Sequence, residues 1–169
     1  MFDVYPYSRF EKYYQFTTAQ DVVVTVFILK DKRWFPYNPE ITNVYSFSIE
    51  TSKPSMGIDA RLKNTVLEIL SNFLKENDAV ITFFCDPDDG KGHKRNMKFQ
   101  RWFRDISDES LEKHDREVIV KYQDVNDDEE IIDIEVLIYS SLLVRREHPN
   151  YDAVIRIFQS GDSDKTDKL

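Results

Sequence analysis

Residues 79–104 read AVITFFCDPDDGKGHKRNMKFQRWFR, and this stretch decides how the rest of the chain can be arranged. Val80 to Cys85 is an uncharged run of β-branched and aromatic residues, the pattern of a strand buried on both faces. The strand has to stop at Asp86, because Pro87 has no amide to give to a ladder and Asp88, Asp89 and Gly90 are turn formers. A helix is expected to start near residues 91–93. Phe99, Trp102, Phe103 and Ile106 then recur at i, i+3, i+4 and i+7 as one apolar face, and Lys91, Lys94, Lys98 and Arg101 form an adjoining basic stripe. Arg95 falls on the edge of the apolar face, where an unpaired guanidinium is costly to bury. A carboxylate partner is therefore expected, with Asp86 and Asp59 as the candidates.

Outward from this stretch, residues 12–18 and 22–29 are two β-rich runs separated by Ala19, Gln20 and Asp21, a hairpin pattern whose second run, VVVTVFIL, reads as central. Residues 31–39, DKRWFPYNP, form a turn-rich connection; its Trp34 and Phe35 are expected to fold back onto the core, with a binding surface as the alternative. Residues 44–49 are a third strand. Asp59 can cap a helix in which Leu62, Val66, Ile69 and Phe73 recur at helical spacing up to about Glu76. That helix leads into the strand at Val80, so a βαβ crossover and a mixed sheet are open to the chain. Residues 107–116 read as a charged connection, and residues 117–123 and 130–139 as a hairpin around Asn126, Asp127 and Asp128, with residues 141–146 extending the sheet. Pro149 suits the start of a short last helix carrying Val154, Ile155 and Phe158. The expected fold is α+β: a mixed or antiparallel sheet of about six strands, two main covering helices and a short C-terminal helix.

Composition narrows the class. With 169 residues, 41% of them hydrophobic and 14% aromatic, the chain can bury a full core, so residues 1–160 are expected to form a single domain. Residues 161–169 are expected to be a disordered polar tail, and residues 1–11 an irregular aromatic arm. The opening MFDVYPYSRFEKYY lacks the basic start and apolar core of a signal peptide, and no apolar window is long enough to span a membrane, so a cytoplasmic location and no membrane partner are expected. The lone cysteine, Cys85, excludes an intramolecular disulfide; inside an apolar strand it reads as an inert buried thiol. A net charge of -8 argues against a general nucleic-acid binder. The charge is nevertheless segregated: residues 91–104 carry six Lys/Arg and no acid, whereas residues 105–135 carry thirteen Asp/Glu against three Lys/Arg.

Three candidate sites follow. Asp86, Asp88 and Asp89 could hold a divalent cation through hard carboxylate oxygens, or could simply cap the following helix. They do not make an EF-hand, because counted from Asp86 the Gly90 falls at position 5 and Met97 at position 12. No cofactor is expected apart from such a cation. Lys91, His93, Lys94, Lys98 and Arg101 could bind an anion at the helix start, although GKGHK lacks P-loop spacing. Asp59 and Arg61 could pair with Arg95 and the Asp86 turn, either as a buried ion network or as the floor of a pocket.

Asp59 and Arg61, FFCD followed by Asp89 and Gly90, then Arg95, Phe99 and Arg101-Trp102-Phe103, with His148-Pro149-Asn150 later, together resemble a bacterial family of uncharacterised proteins, a domain of unknown function. The likeness spans residues 12–160 and implies no activity, substrate or cofactor. It implies that Asp59, Arg61, Asp86, Asp89, Arg95 and Trp102 act as one unit. The leading functional expectation is a non-enzymatic interaction or regulatory protein of the antitoxin, immunity or inhibitor type, binding a protein partner through its acidic flank or aromatic loop. The alternatives are a metal-dependent phosphoryl-transfer or nuclease-like enzyme at the Asp86 turn, with His93 moving a proton, and a small nucleotide-binding module there. A nucleotide or nucleic acid ranks behind a protein as partner, and the sequence leaves the oligomeric state open.

Overall fold

The computed structural model describes residues 3–54, 57–85, 88–106 and 108–162. The elements are β1 (Tyr7–Arg9), β2 (Tyr13–Thr17), β3 (Val23–Lys30), β4 (Val44–Thr51), α1 (Ala60–Asn77), β5 (Val80–Cys85), α2 (Gly92–Arg104), β6 (Leu111–Val125), β7 (Ile131–Arg145) and α3 (Tyr151–Ser160). The strands form one seven-stranded sheet in the order β1-β2-β3-β4-β5-β7-β6. β4 and β5 pair in parallel, joined by α1 as the crossover, and every other pair is antiparallel. The α+β class is the one expected, and of the two sheet types left open, mixed or antiparallel, the parallel β4–β5 pair makes it mixed, with β1 as the additional strand. Three residues of the supposed irregular arm pair with Arg9↔Tyr14 to Tyr7↔Phe16, a span too short to leave a period in the sequence.

Burial on both faces of the sheet sorts the helices. Ile81, Phe83 and Cys85 of β5 join Val24, Val26, Phe47 and Leu143 under α1 and α2, where Leu62, Val66, Ile69, Phe73, Trp102 and Phe103 close the core. Val80 points the other way, with Leu142 and Val144 of β7, into a second cluster capped by Val154, Ile157 and Phe158 of α3 and by Trp34 and Phe35. Those two aromatics are 2% and 3% exposed, so both side chains fold back onto the core, while Tyr37 of the same loop stays exposed. Trp34 Nε1 donates to Ser46 Oγ at 3.2 Å, and that hydroxyl donates to the buried Asp31 at 2.8 Å. A polar network thus holds the loop down. Burial pushes the Cys85 thiol up to about 11, in keeping with an inert sulfur.

Asp59 caps α1 as expected, its Oδ1 accepting from the Leu62 amide at 2.8 Å, and Asp78 ends the helix in the left-handed region. The region read as a charged connection is the largest correction: β6 begins at Leu111 and runs unbroken to Val125. Its first residues show no apolar alternation because charged pairs satisfy them. Glu112 contacts His114 at 3.0 Å, Lys113 pairs with Asp115, and Ser141 of β7 donates to Asp115 at 2.6 Å. The hairpin turn lies where Asn126 predicted it, with Asn126 Oδ1 accepting from the amides of Asp128 (3.0 Å) and Glu130 (2.9 Å).

Candidate functional site

Two surfaces carry the chemistry that the sequence pointed to: the start of α2 with the cleft it forms against α1, and the outer half of the β6–β7 hairpin. At the start of α2, Gly90 takes φ +71 and turns the chain so that Asp89 faces the helix it precedes. Asp89 accepts from the Lys91 amide at 3.0 Å and grips Arg95 through two bonds of 2.7 and 2.6 Å. This bidentate pair holds the Asp89 carboxyl at about 2. Asp89, which is not among the candidates, is thus a carboxylate partner of Arg95. Asp59 is committed elsewhere, to the Leu62 amide and to the Tyr5 hydroxyl, which donates at 3.1 Å. Asp86, the other candidate, lies outside the described residues.

Arg61 also departs from the expected network. It turns toward the N-terminal segment, donating to the Val4 carbonyl at 2.9 Å, pairing with Asp3 at 3.0 Å and lying 4.4 Å from the Tyr5 ring centre. Of the six residues expected to act as one unit, the five described are distributed: Arg61 secures the N-terminal segment, Asp89 and Arg95 lock the α2 turn, and Asp59 and Trp102 face a common cleft, while Asp86 lies outside the described residues. Of the three acids proposed as cation ligands, Asp89 is held by Arg95, Asp88 is exposed and Asp86 is not described. Among the described residues, no group of three or more His, Cys, Asp or Glu side chains could hold a metal ion. His93 Nδ1 lies 3.0 Å from the Tyr139 hydroxyl, which ties the start of α2 to β7.

The cleft between the first turn of α1 and the outer face of α2 encloses about 630 Å³. Three of the five residues proposed for an anion, Lys94, Lys98 and Arg101, line it together with Lys63; Lys91 and His93 are not among its lining residues. Asp59 and Asp105 are its acids, and Ile58, Leu62, Met97 and Trp102 its apolar wall. Lys63 lies 3.4 Å from Asp105, and the Lys98 ammonium stands 4.9 Å from the Trp102 ring centre. Burial pulls the Lys98 ammonium below its ordinary value. The sequence reading missed Lys63 and Asp105, since only the packing of α1 on α2 brings them to the basic stripe. A faint signal existed in the placement of Lys63 one turn after the capping Asp59.

The second surface is a two-stranded ribbon. β5 pairs with β7 only from Tyr139 to Leu143, whereas β6 and β7 pair from Leu111↔Arg145 out to Val125↔Ile131. Residues 131–138 of β7 therefore run beyond the third strand, an arm of about 27 Å at the rise of an antiparallel strand. The opposed pairs Val118↔Ile138, Val120↔Val136 and Tyr122↔Ile134 make one face of the ribbon apolar. On the other face, Ile119↔Leu137 and Val125↔Ile131 flank the Lys121–Glu135 ion pair of 3.0 Å. Ile119, Val125 and Ile131 are 57%, 60% and 72% exposed. Around these side chains, residues 117–138 carry eight Asp/Glu and a single Lys.

No helix among the described residues is long and apolar enough to cross a membrane. No curated protein and no solved structure shows significant similarity to the chain. The family match instead covers α1 through α3, the segment that contains both surfaces. With a family model matching residues 58–160, more than half of its length, the chain belongs to the family of unknown function DUF6169.

Proposed function

We propose that this chain is a non-enzymatic protein-interaction module that presents the outer β6–β7 ribbon to a basic, partly apolar segment of another protein. The observation that carries this reading is the ribbon itself: an extended pair of strands with apolar side chains on both faces and, among the described residues, no third strand along residues 131–138. Contiguous exposed apolar surface of this kind marks interaction sites. The open edge of β6 offers backbone groups for an added strand. Charge selects the partner's chemistry. Eight acids against one lysine in residues 117–138 repel another acidic chain and steer a basic one. The acids at the tip also act as gatekeepers against unspecific edge pairing.

The test is site-specific photocrosslinking in the native cell, with the photoreactive side chain placed at Ile119 or Leu137 of the ribbon and, as controls, at exposed Glu11 or Lys53. The expected outcome is a discrete crosslinked protein at the two ribbon positions alone, its crosslinked segment basic. The product should disappear when Asp127, Asp128, Glu129 and Glu130 are changed together to Lys. Equal crosslinking at the control positions, or a product indifferent to that charge reversal, would refute the reading. Light scattering of the purified chain supplies a second check, since a dimer broken by Ile119→Asp would mean that the ribbon pairs with its own copy.

A further inference from the structure

The ribbon leaves the α1–α2 cleft without a role, and the cleft has properties that packing alone does not explain. Its lining carries four cations, Lys63, Lys94, Lys98 and Arg101, against two carboxylates, Asp59 and Asp105, in a chain whose net charge is -8. Both acids are occupied: Asp59 accepts from Leu62 N and the Tyr5 hydroxyl, and Asp105 pairs with Lys63. Lys94, Lys98 and Arg101 form no ion pair among the described residues. They are spaced i, i+4 and i+7 on α2, so neighbouring like charges face one another on consecutive turns, an arrangement that destabilises a helix unless an anion sits between them. The Lys98 ammonium moreover stands 4.9 Å from the Trp102 ring centre, with no carboxylate paired to it among the described residues.

The apolar half of the lining narrows the ligand. Ile58 stands fully exposed at the rim and Met97 beside it is also exposed, while Leu62 and Trp102 form the buried wall behind them. A volume of about 630 Å³ matches a small organic molecule better than a bare ion. We propose that the cleft between α1 and α2 binds a phosphate monoester with an apolar or aromatic body, its phosphate held by Lys94, Lys98 and Arg101 and its body against Ile58, Met97 and Leu62. The same group could belong to a soluble metabolite or to a lipid whose acyl chains meet Ile58, and the two are separated by the choice of probe.

The experiment is calorimetric titration of the full-length chain at low salt with AMP, phenyl phosphate, inorganic phosphate and adenosine, alongside sedimentation with phosphatidylcholine vesicles with and without phosphatidic acid. Trp102 emission serves as a local reporter. A soluble ligand class predicts saturable single-site binding of AMP or phenyl phosphate, weaker binding of inorganic phosphate and none of adenosine. A lipid predicts binding to the phosphatidic acid vesicles in preference to the soluble esters. In either case Lys98→Gln with Arg101→Gln should weaken binding by about tenfold or more, the value of losing charge-assisted hydrogen bonds. Lys98→Arg should largely preserve it, and Lys91→Gln, just before the helix and outside the cleft, should change it by less than about twofold. These side chains are all exposed on or just before α2, and circular dichroism verifies that each variant keeps the fold. The proposal is overturned if no phosphate monoester binds, if adenosine binds as well as AMP, or if Lys91→Gln is as damaging as the cleft variants.

Discussion

The inner and outer halves of β7 both carry large aliphatic side chains on their two faces, and those side chains have opposite fates. From Tyr139 to Leu143 the strand lies between β5 and β6, with Leu142 and Leu143 completely buried on opposite faces. From residue 131 to 138 it carries six aliphatic residues and two acids but, among the described residues, pairs with β6 alone, and Ile131 and Leu137 are exposed. Apolar composition sets what a strand can bury, whereas burial itself needs a third strand and a covering helix. α3 reaches only the inner half, where Phe158 packs in the cluster of Leu142 and Val144 and the Arg116 guanidinium stands 5.6 Å from the Phe158 ring. Beyond that point, the hairpin is held by its own cross-strand pairs and its turn.

The contrast can be broken most decisively at Leu142. Leu142→Ala should cost about 2–5 kcal/mol in urea unfolding, as a fully buried large-to-small change does, and an equal loss from Ile134→Ala on the outer half would abolish the distinction. Glu112, at the base of the hairpin, gives the next largest effect. A hydrogen bond from the Tyr151 hydroxyl, reinforced by Arg146 and His114, holds its carboxyl at about 2 in the folded chain, while burial opposes the shift. A carboxylate with a lowered folded pKa contributes stability that is fully present above its unfolded value and is lost as pH falls toward the folded one. Wild type should therefore exceed Glu112→Gln by about 1–2 kcal/mol at neutral pH. The gap should narrow progressively below about pH 4.5 and close near pH 2, read from paired melting curves. A gap independent of pH would assign the effect to packing.

Adjacent serines sharpen the same comparison more finely. Ser141 and Ser140 are both completely buried in β7, but Ser141 Oγ donates to Asp115 at 2.6 Å whereas Ser140 Oγ has no hydrogen-bond partner among the described residues. Ser141→Ala should destabilise by about 1–2 kcal/mol and Ser140→Ala should be neutral or slightly stabilising, since it removes a polar atom already desolvated. Denaturant midpoints of the two variants should move in clearly different amounts. The smallest stability effect belongs to the ribbon: Ile119→Thr with Leu137→Thr should stay within about 0.5 kcal/mol of wild type. Under the proposed function, the same pair should abolish the ribbon crosslink, a loss of binding without loss of fold.

Much of this architecture was legible before any coordinates. The β5 strand, the Asp59 cap, the crossover through α1 and the Asn126 turn all follow from local chemistry, in which the deciding partners lie within a few residues of one another. The start of β6 was not legible, because Glu112, Lys113 and Asp115 satisfy themselves with partners from β7, α3 or their own strand, and alternation of hydrophobicity is then no guide. Arg95 illustrates the boundary well. Its position on the helix correctly required a carboxylate, yet the choice of Asp89 depended on a left-handed glycine that turns the chain back on itself.

The basic stripe and the acidic run were likewise visible as patterns of charge, since spacing along a helix or strand places side chains on one face whatever surrounds them. Their meaning was decided in three dimensions. Packing α2 beside the first turn of α1 divided the stripe, bringing Lys94, Lys98 and Arg101 to Lys63 and leaving Lys91 and His93 outside the cleft. Ending β5 at Cys85 left the outer β6–β7 strands without a third strand among the described residues. Sequence by itself determined which groups each element presents, because side-chain direction is a local property of backbone geometry. Only the tertiary structure decided which of those groups meet, which are buried and which remain available, because neighbours distant in the chain are chosen by the packing of the whole core.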